Sequence, residues 1–215
     1  DSFPELTQED LGEFRGQPHR IRVDDQAVPT AVRVRPVPVA LKEKVLAEIK
    51  HLDEQGVWES VQTSEWAHPM VTVAKSDGGV RITSDLTRLN KHVIPERHPL
   101  PKIRDLLINL SGARVFSKLD LKKGYFQIPL HEDSRPLTMT ITPLGLHQYK
   151  RMPMGLKDSA SAFQRWVQNA LQGLPGVEVY IDDIIVHGKN QEEHDRHLRA
   201  VLQRLHQKGF RLQSK

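Results

Sequence analysis

Apolar positions along the chain alternate between runs of period two and stretches of helical spacing, and each predicts an element. Leu41, Val45, Ile49 and Leu52 recur at helical spacing and Gly56 follows, so 41–55 reads as a helix closed by a glycine cap. Val71-Thr72-Val73-Ala74-Lys75 and Val80-Arg81-Ile82-Thr83 alternate about Ser76-Asp77-Gly78-Gly79, a hairpin signal. A second hairpin is expected from Leu137 to Thr142 and His147 to Met152 about Pro143-Leu144-Gly145. Further helices are predicted from Pro101 to Leu110, before Gly112, and from Asp158 or Ser159 to about Gln172. The second of these carries Ala160, Phe163, Val167 and Leu171 as its apolar stripe. Val177 to Ile181 and Ile184 to Val186, bounded by Gly176 and Gly188, read as short strands. Asn190-Gln191-Glu192-Glu193 resembles a capping box and opens a last helix, with Leu198, Val201, Leu202 and Leu205 inward and Gly209 at its end. Strands divided by helices that pack on one face indicate an α+β sheet domain.

Composition narrows the class. The 215 residues are 38% hydrophobic with mean hydropathy −0.50, which suits a globular chain of one or two subdomains. No stretch approaches the apolar length of a membrane-spanning helix, and the start lacks the basic and apolar run of a signal peptide, so no membrane partner and an intracellular setting are expected. Asp1 in place of Met suggests a piece of a longer chain. The absence of cysteine excludes disulfides and Cys-zinc sites. Pro4, Pro18, Pro29, Pro36 and Pro38 make residues 1–40 an extended lead-in. A net charge of +4 with pI near 9.3 permits a phosphate-backbone partner.

The candidate chemistry centres on Tyr180-Ile181-Asp182-Asp183, where two carboxylates meet at a tight turn between the short strands. Adjacent carboxylates repel and cost stability unless a cation is expected there, and Mg²⁺ is bound through carboxylate oxygens and substrate phosphates. A third, Asp120, ends the apolar stretch from Val115, among Arg114, Lys118, Lys122 and Lys123. One strand-end Asp plus a hairpin pair is the minimum for two ions about 3.5–4 Å apart that clamp an in-line phosphoryl displacement. His194 and His197, at i and i+3 beside Glu193, lack a partner cluster and read as a solvated helix face. His131 and His147 have no assignable role.

The segments FSKLDLKKGYFQI, MPMGLKDSASAFQ and YIDDIIVHGK, in that order, resemble the reverse transcriptases of gypsy-type long-terminal-repeat retrotransposons and their retroviral relatives. The resemblance covers roughly residues 30–215. It implies the fingers and palm of a right-hand polymerase, with an antiparallel palm sheet backed by helices. In these terms 41–100 and 131–152 are fingers, 101–130 and 153–215 are palm, and the thumb lies beyond. The implied activity is RNA- and DNA-templated DNA synthesis from deoxynucleoside triphosphates onto a primer 3′-hydroxyl. Asp120, Asp182, Asp183 and the Leu121 carbonyl would hold two Mg²⁺ ions, with Mn²⁺ as an alternative. Lys75 and Arg81 would bind the triphosphate, Tyr125 would exclude a ribose 2′-hydroxyl, and Met154 and Gly155 would line the nascent base pair. Asp85, Arg88, Asn90 and Lys157 would lie along the template. Leu86, Thr87, Met154 and Ala160 depart from the family pattern. Family members are parts of Pol polyproteins with thumb, RNase H and integrase domains, found in a cytoplasmic particle or the nucleus. The rival readings are a domesticated, inactive nucleic-acid-binding or scaffold module, and a metal nuclease.

Overall fold

The computed structural model describes Phe3–Ser214. In chain order its main elements are α1 (Lys42–Glu54), β1 (Trp58–Val61), β2 (His68–Ala74), β3 (Val80–Ser84), α2 (Thr87–Asn90), α3 (Ile103–Asn109) and β4 (Val115–Asp120). There follow β5 (Thr140–Thr142), β6 (Gly145–Tyr149), α4 (Ser159–Leu171), β7 (Val177–Tyr180), β8 (Asp183–Gly188) and α5 (Gln191–Gln207). They form two compact units, one from Pro18–Pro95 with Pro129–Ser159, the other from the residues up to Gln17, Glu96–Ile128 and the residues from Ala160 on. Among the described residues no helix is long and apolar enough to cross a membrane.

The unit beginning at Pro18 holds a five-stranded sheet in the order β1-β6-β5-β2-β3, antiparallel except for the β2–β5 pair. Helix α1 buries Val45, Ile49 and Leu52 of the predicted stripe, while Leu41 ends a preceding 3-10 turn and is only partly covered, and Gly56 takes the left-handed conformation (φ +64°) that ends the helix. Trp58 and Tyr149, both fully buried, meet edge to face across the β1–β6 pair at 5.5 Å. The second predicted hairpin is displaced. Leu137 and Thr138 belong to a 3-10 helix, Glu132–Thr138, and the return strand spans Gly145–Tyr149. Pro136 inside that helix has no N–H for a ladder. Thr138 closes its last turn by donating Oγ1 to Arg135 O (2.7 Å) while accepting from Tyr149 N (3.0 Å).

The other unit holds a three-stranded antiparallel sheet, β4-β8-β7, against which α5 packs. Two stripes differ from expectation. Helix α4 buries Ala162, Phe163, Trp166, Val167, Ala170 and Leu171, with Ala160 only partly covered. Helix α5 buries His194, His197, Val201 and Leu205, while Leu198 and Leu202 are only partly covered. The two histidines therefore face inward rather than to solvent. They continue the i, i+3, i+7 row of Val201 and Leu205, and each has a partner. His194 Nε2 meets Ser117 Oγ at 2.9 Å, and His197 Nδ1 donates to His187 O at 2.8 Å. Asn190 caps α5 by accepting from Glu193 N, and the Glu193 carboxylate accepts from Lys189 N, a reciprocal arrangement close to the expected box.

Candidate active site

The pairing of β4 with β8 sets Asp120 opposite Asp183, and Tyr180 pairs with Asp183 across β7–β8. Ile181 and Asp182 are thus the two central residues of the hairpin. Ile181 has φ +53°, the left-handed region that glycine usually fills at the first central position. A β-branched residue there costs energy, so something must hold it. That partner is Gln164 of α4, fully buried. Its Nε2 donates to Val179 O at 2.8 Å and its Oε1 accepts from Ile181 N. One side-chain amide thereby spans the turn on which Asp182 stands.

The loop after Asp120 is held as firmly. Gln213 N donates to Asp120 O (2.8 Å) and Lys122 N to Arg211 O (3.0 Å), so the bridge of Leu121 with Leu212 ties the loop to the strand-like stretch after α5. Buried Gln127 donates to Lys122 O and Arg211 O and accepts from Arg211 N. Gly124 is a close-approach glycine, because a Cβ there would lie 2.8 Å from the Phe163 ring and 3.2 Å from Asp182 Oδ1. Next to it the Tyr125 ring packs on Phe163 with centroids 5.0 Å apart. Burial, then the Asp182 charge, raises the Tyr125 hydroxyl above its ordinary pKa.

Charge is unevenly compensated here. Lys118 Nζ lies 2.9 Å from Asp183 Oδ1 and 3.6 Å from Asp120 Oδ1. The Asp183 hydrogen bond, then the Asp120 charge, raises the Lys118 pKa. Asp182 is solvent-accessible, yet desolvation by its neighbours, then the Asp183 charge, raises its carboxyl above the usual range. Among the described residues no three His, Cys, Asp or Glu side chains converge closely enough to hold an ion as they stand. The Lys118 ammonium instead lies within ion-pair distance of both Asp120 and Asp183. Lys118 pairs with two of the three carboxylates, and the donor set is of the all-oxygen kind that a hard divalent cation takes. Leu121 is buried beside them on the Asp120 loop.

The remaining candidates lie in the other unit. Lys75 is exposed just past β2, where its N–H donates to Gly79 O (2.9 Å), and Arg81 stands opposite Val73 on β3. Lys44 of α1 steadies the hairpin tip by donating to Gly78 O at 2.6 Å. Asp85 accepts from Thr87 Oγ1 (2.6 Å) and Arg35 (3.1 Å), and the Thr87 hydrogen bond is the main cause of its lowered pKa. Asn90 spends both ends of its amide internally, donating to Gly155 O (2.7 Å) and accepting from Lys157 N (2.8 Å). Gly155 is exposed with φ +85°, and neighbouring Met154 is partly covered. Arg88 lines a cleft of about 360 Å³ together with Arg33, Arg35, Lys91 and Asp85. His147 and His131 gain structural roles. The first lies 3.2 Å from Asp53, and the second accepts from Asp133 N and meets Arg20 at 2.7 Å.

Sequence reasoning missed Lys118, Gln164, Arg33, Arg35 and Lys91 as site residues. The period of a strand could have found Lys118, two residues before Asp120 on the same face. Nothing in the pattern marks Gln164, a polar residue inside an apolar stripe.

Over residues 73–215 the chain matches the family described as reverse transcriptase (RNA-dependent DNA polymerase). This chain belongs to the reverse transcriptase family. An uncharacterized protein of Caenorhabditis elegans is 37% identical over 213 residues, which is 98% of this chain and 17% of that protein. The retrovirus-related Pol polyprotein from transposon gypsy of Drosophila melanogaster is 34% identical over 182 residues, 81% of this chain and 18% of the polyprotein. Among solved structures, the foamy viral protease-reverse transcriptase in complex with RNA/DNA hybrid is similar at TM-score 0.89 and 27% identity, covering 99% of this chain and 29% of that one. The α+β architecture is thus the reverse transcriptase fold, and the chain spans less than a fifth of these two relatives' lengths.

Proposed function

We propose that this chain is the fingers and palm of a retroelement reverse transcriptase, an RNA- and DNA-templated DNA polymerase. The sheet that carries the aspartates is its palm, and the five-stranded sheet with α1 is its fingers. The observation that carries this is the register placing Asp120 against Asp183 at the turn end of a hairpin whose strained turn presents Asp182. Family membership over residues 73–215 and the likeness to a reverse transcriptase bound to an RNA/DNA hybrid support it.

Asp120, Asp182 and Asp183, with the Leu121 carbonyl, are the residues that would hold Mg²⁺ or Mn²⁺. When bound, such ions make a primer 3′-hydroxyl acidic and neutralise the triphosphate and departing pyrophosphate. The protein's own part is positioning. Gln164 fixes the turn beneath Asp182, and Gln127 fixes the loop after Asp120. Tyr125, packed on Phe163, contacts the deoxyribose and excludes a 2′-hydroxyl. Lys75 and Arg81 bring positive charge to the triphosphate, Met154 and Gly155 line the base pair, and Asp85, Arg88, Asn90 and Lys157 face the template. Asn90 does so by bracing Gly155 and Lys157. In the complete Pol polyprotein, thumb, RNase H and integrase domains would accompany this chain.

Extension of a labelled DNA primer on an RNA template, by the complete protein with Mg²⁺ and deoxynucleotides, tests the reading. Asp120→Asn and Asp182→Asn are expected to abolish extension with circular dichroism unchanged. Extension at the wild-type rate by either variant overturns it.

A further inference from the structure

The aspartate cluster already contains a cation of its own. Lys118 and Asp120 share a face of β4 because they are two residues apart. The Lys118 ammonium reaches across to β8, 2.9 Å from Asp183 Oδ1, while staying 3.6 Å from Asp120 Oδ1. It thus stands between the two carboxylates that the strand register sets opposite each other. Asp182 has no ion-pair partner among the described residues.

We propose that Lys118 is the resident counter-ion of this site, neutralising Asp120 and Asp183 in the metal-free protein and giving them up when a divalent cation binds. The inference rests on the reading of these aspartates as metal ligands. An ammonium and a divalent ion seeking the same carboxylate oxygens also repel each other, so the two compete. Lys118 is suited to exchange rather than to blockade. Its side chain is 53% exposed, and a lysine stem is flexible enough to return its charge to water at small cost. The consequence is a site in which Asp120 and Asp183 stay paired before catalysis and whose metal affinity is tuned by a residue that is no ligand.

Mn²⁺ alone, titrated into the full chain without nucleotide and followed by the loss of its free electron-paramagnetic signal, tests this. Lys118→Gln is expected to tighten Mn²⁺ binding about three- to fivefold, the size of effect that one exposed charge pair supports. Lys118→Arg, which keeps the charge, should bind as wild type does. Lys122→Gln is the control, because that ammonium is bonded to Gln8 O and Glu9 O. Its affinity should change less than that of Lys118→Gln. In a thermal melt, Mn²⁺ should raise the midpoint of Lys118→Gln more than that of wild type. Unchanged or weaker binding in Lys118→Gln overturns the proposal, as does an equal gain in Lys122→Gln, which would report overall charge alone. Mn²⁺ binding that survives Asp120→Asn and Asp182→Asn unchanged instead overturns the metal-ligand reading, and the proposal with it.

Discussion

At the scale of single residues, the site is a set of charges and contacts that folding alone does not favour. Asp182 has a raised carboxyl pKa, so the folded state holds its proton more tightly than the unfolded chain does. Its contribution to stability is therefore greatest below the unfolded pKa and is lost as pH rises through the folded one. At neutral pH the ionised side chain is a net burden on the metal-free fold. Asp182→Asn is expected to raise the metal-free melting midpoint at pH 7, by no more than about 2 °C because solvent screens this accessible group. The gain should vanish near pH 3, where the native carboxyl is protonated. Scanning calorimetry at the two pH values checks both. Tyr125 gives a second residue-scale outcome. Tyr125→Val removes the ring seated on Phe163. The ratio of kcat/KM for deoxy- over ribonucleotides should then fall by roughly tenfold or more, measured by single-nucleotide incorporation.

At the scale of elements, the hairpin β7–β8 is stiff because two unrelated parts of the chain agree on its shape. Gln164→Leu would leave the Ile181 N–H and the Val179 carbonyl without their shared partner. The expected cost is about 2–3 kcal/mol, read from urea unfolding. Adding Ile181→Gly should recover part of the loss, since glycine occupies that backbone conformation without strain. How much was legible follows from the same elements. Helix α1, the β2–β3 hairpin and the capped start of α5 were readable because local chemistry alone determines them: apolar spacing, a Gly-Gly turn, Asn190 with Glu193. What was illegible depends on distant partners. His194 and His197 look like surface residues until Ser117 and the His187 carbonyl are known to lie beneath them. The shift of the β5–β6 hairpin depends on Thr138 closing a 3-10 turn and accepting from Tyr149 N at the same time.

At the scale of the whole molecule, charge distribution carries what the net +4 does not. Arg33, Arg35, Arg88 and Lys91 line one cleft against the single carboxylate Asp85, though they come from segments far apart in sequence. Arg33→Ala and Arg88→Ala should each weaken binding of a primer–template and reduce the slope of log affinity against log salt by about 0.7–0.9, if each neutralises one phosphate. Fluorescence anisotropy at several salt concentrations measures it, and an unchanged slope places those side chains off the nucleic-acid path. The three aspartates could be expected as a set from their strand-end and turn positions and the family motifs around them, whereas this cleft could not, since only folding gathers its arginines. Chain order has a temporal consequence as well. Glu13 N and Arg15 N donate to Gly209 O and Lys208 O, Leu212 N donates to Leu6 O, and the last residues also tie down the Asp120 loop. During synthesis, at about 5–20 residues per second, the opening segment with Leu6, Leu11 and Phe14 waits about 10–40 s for these partners to emerge. By then every residue of the five-stranded unit has been made. The five-stranded unit can therefore fold before the other is complete, and the Asp120 loop is fastened only when residues 208–213 leave the ribosome.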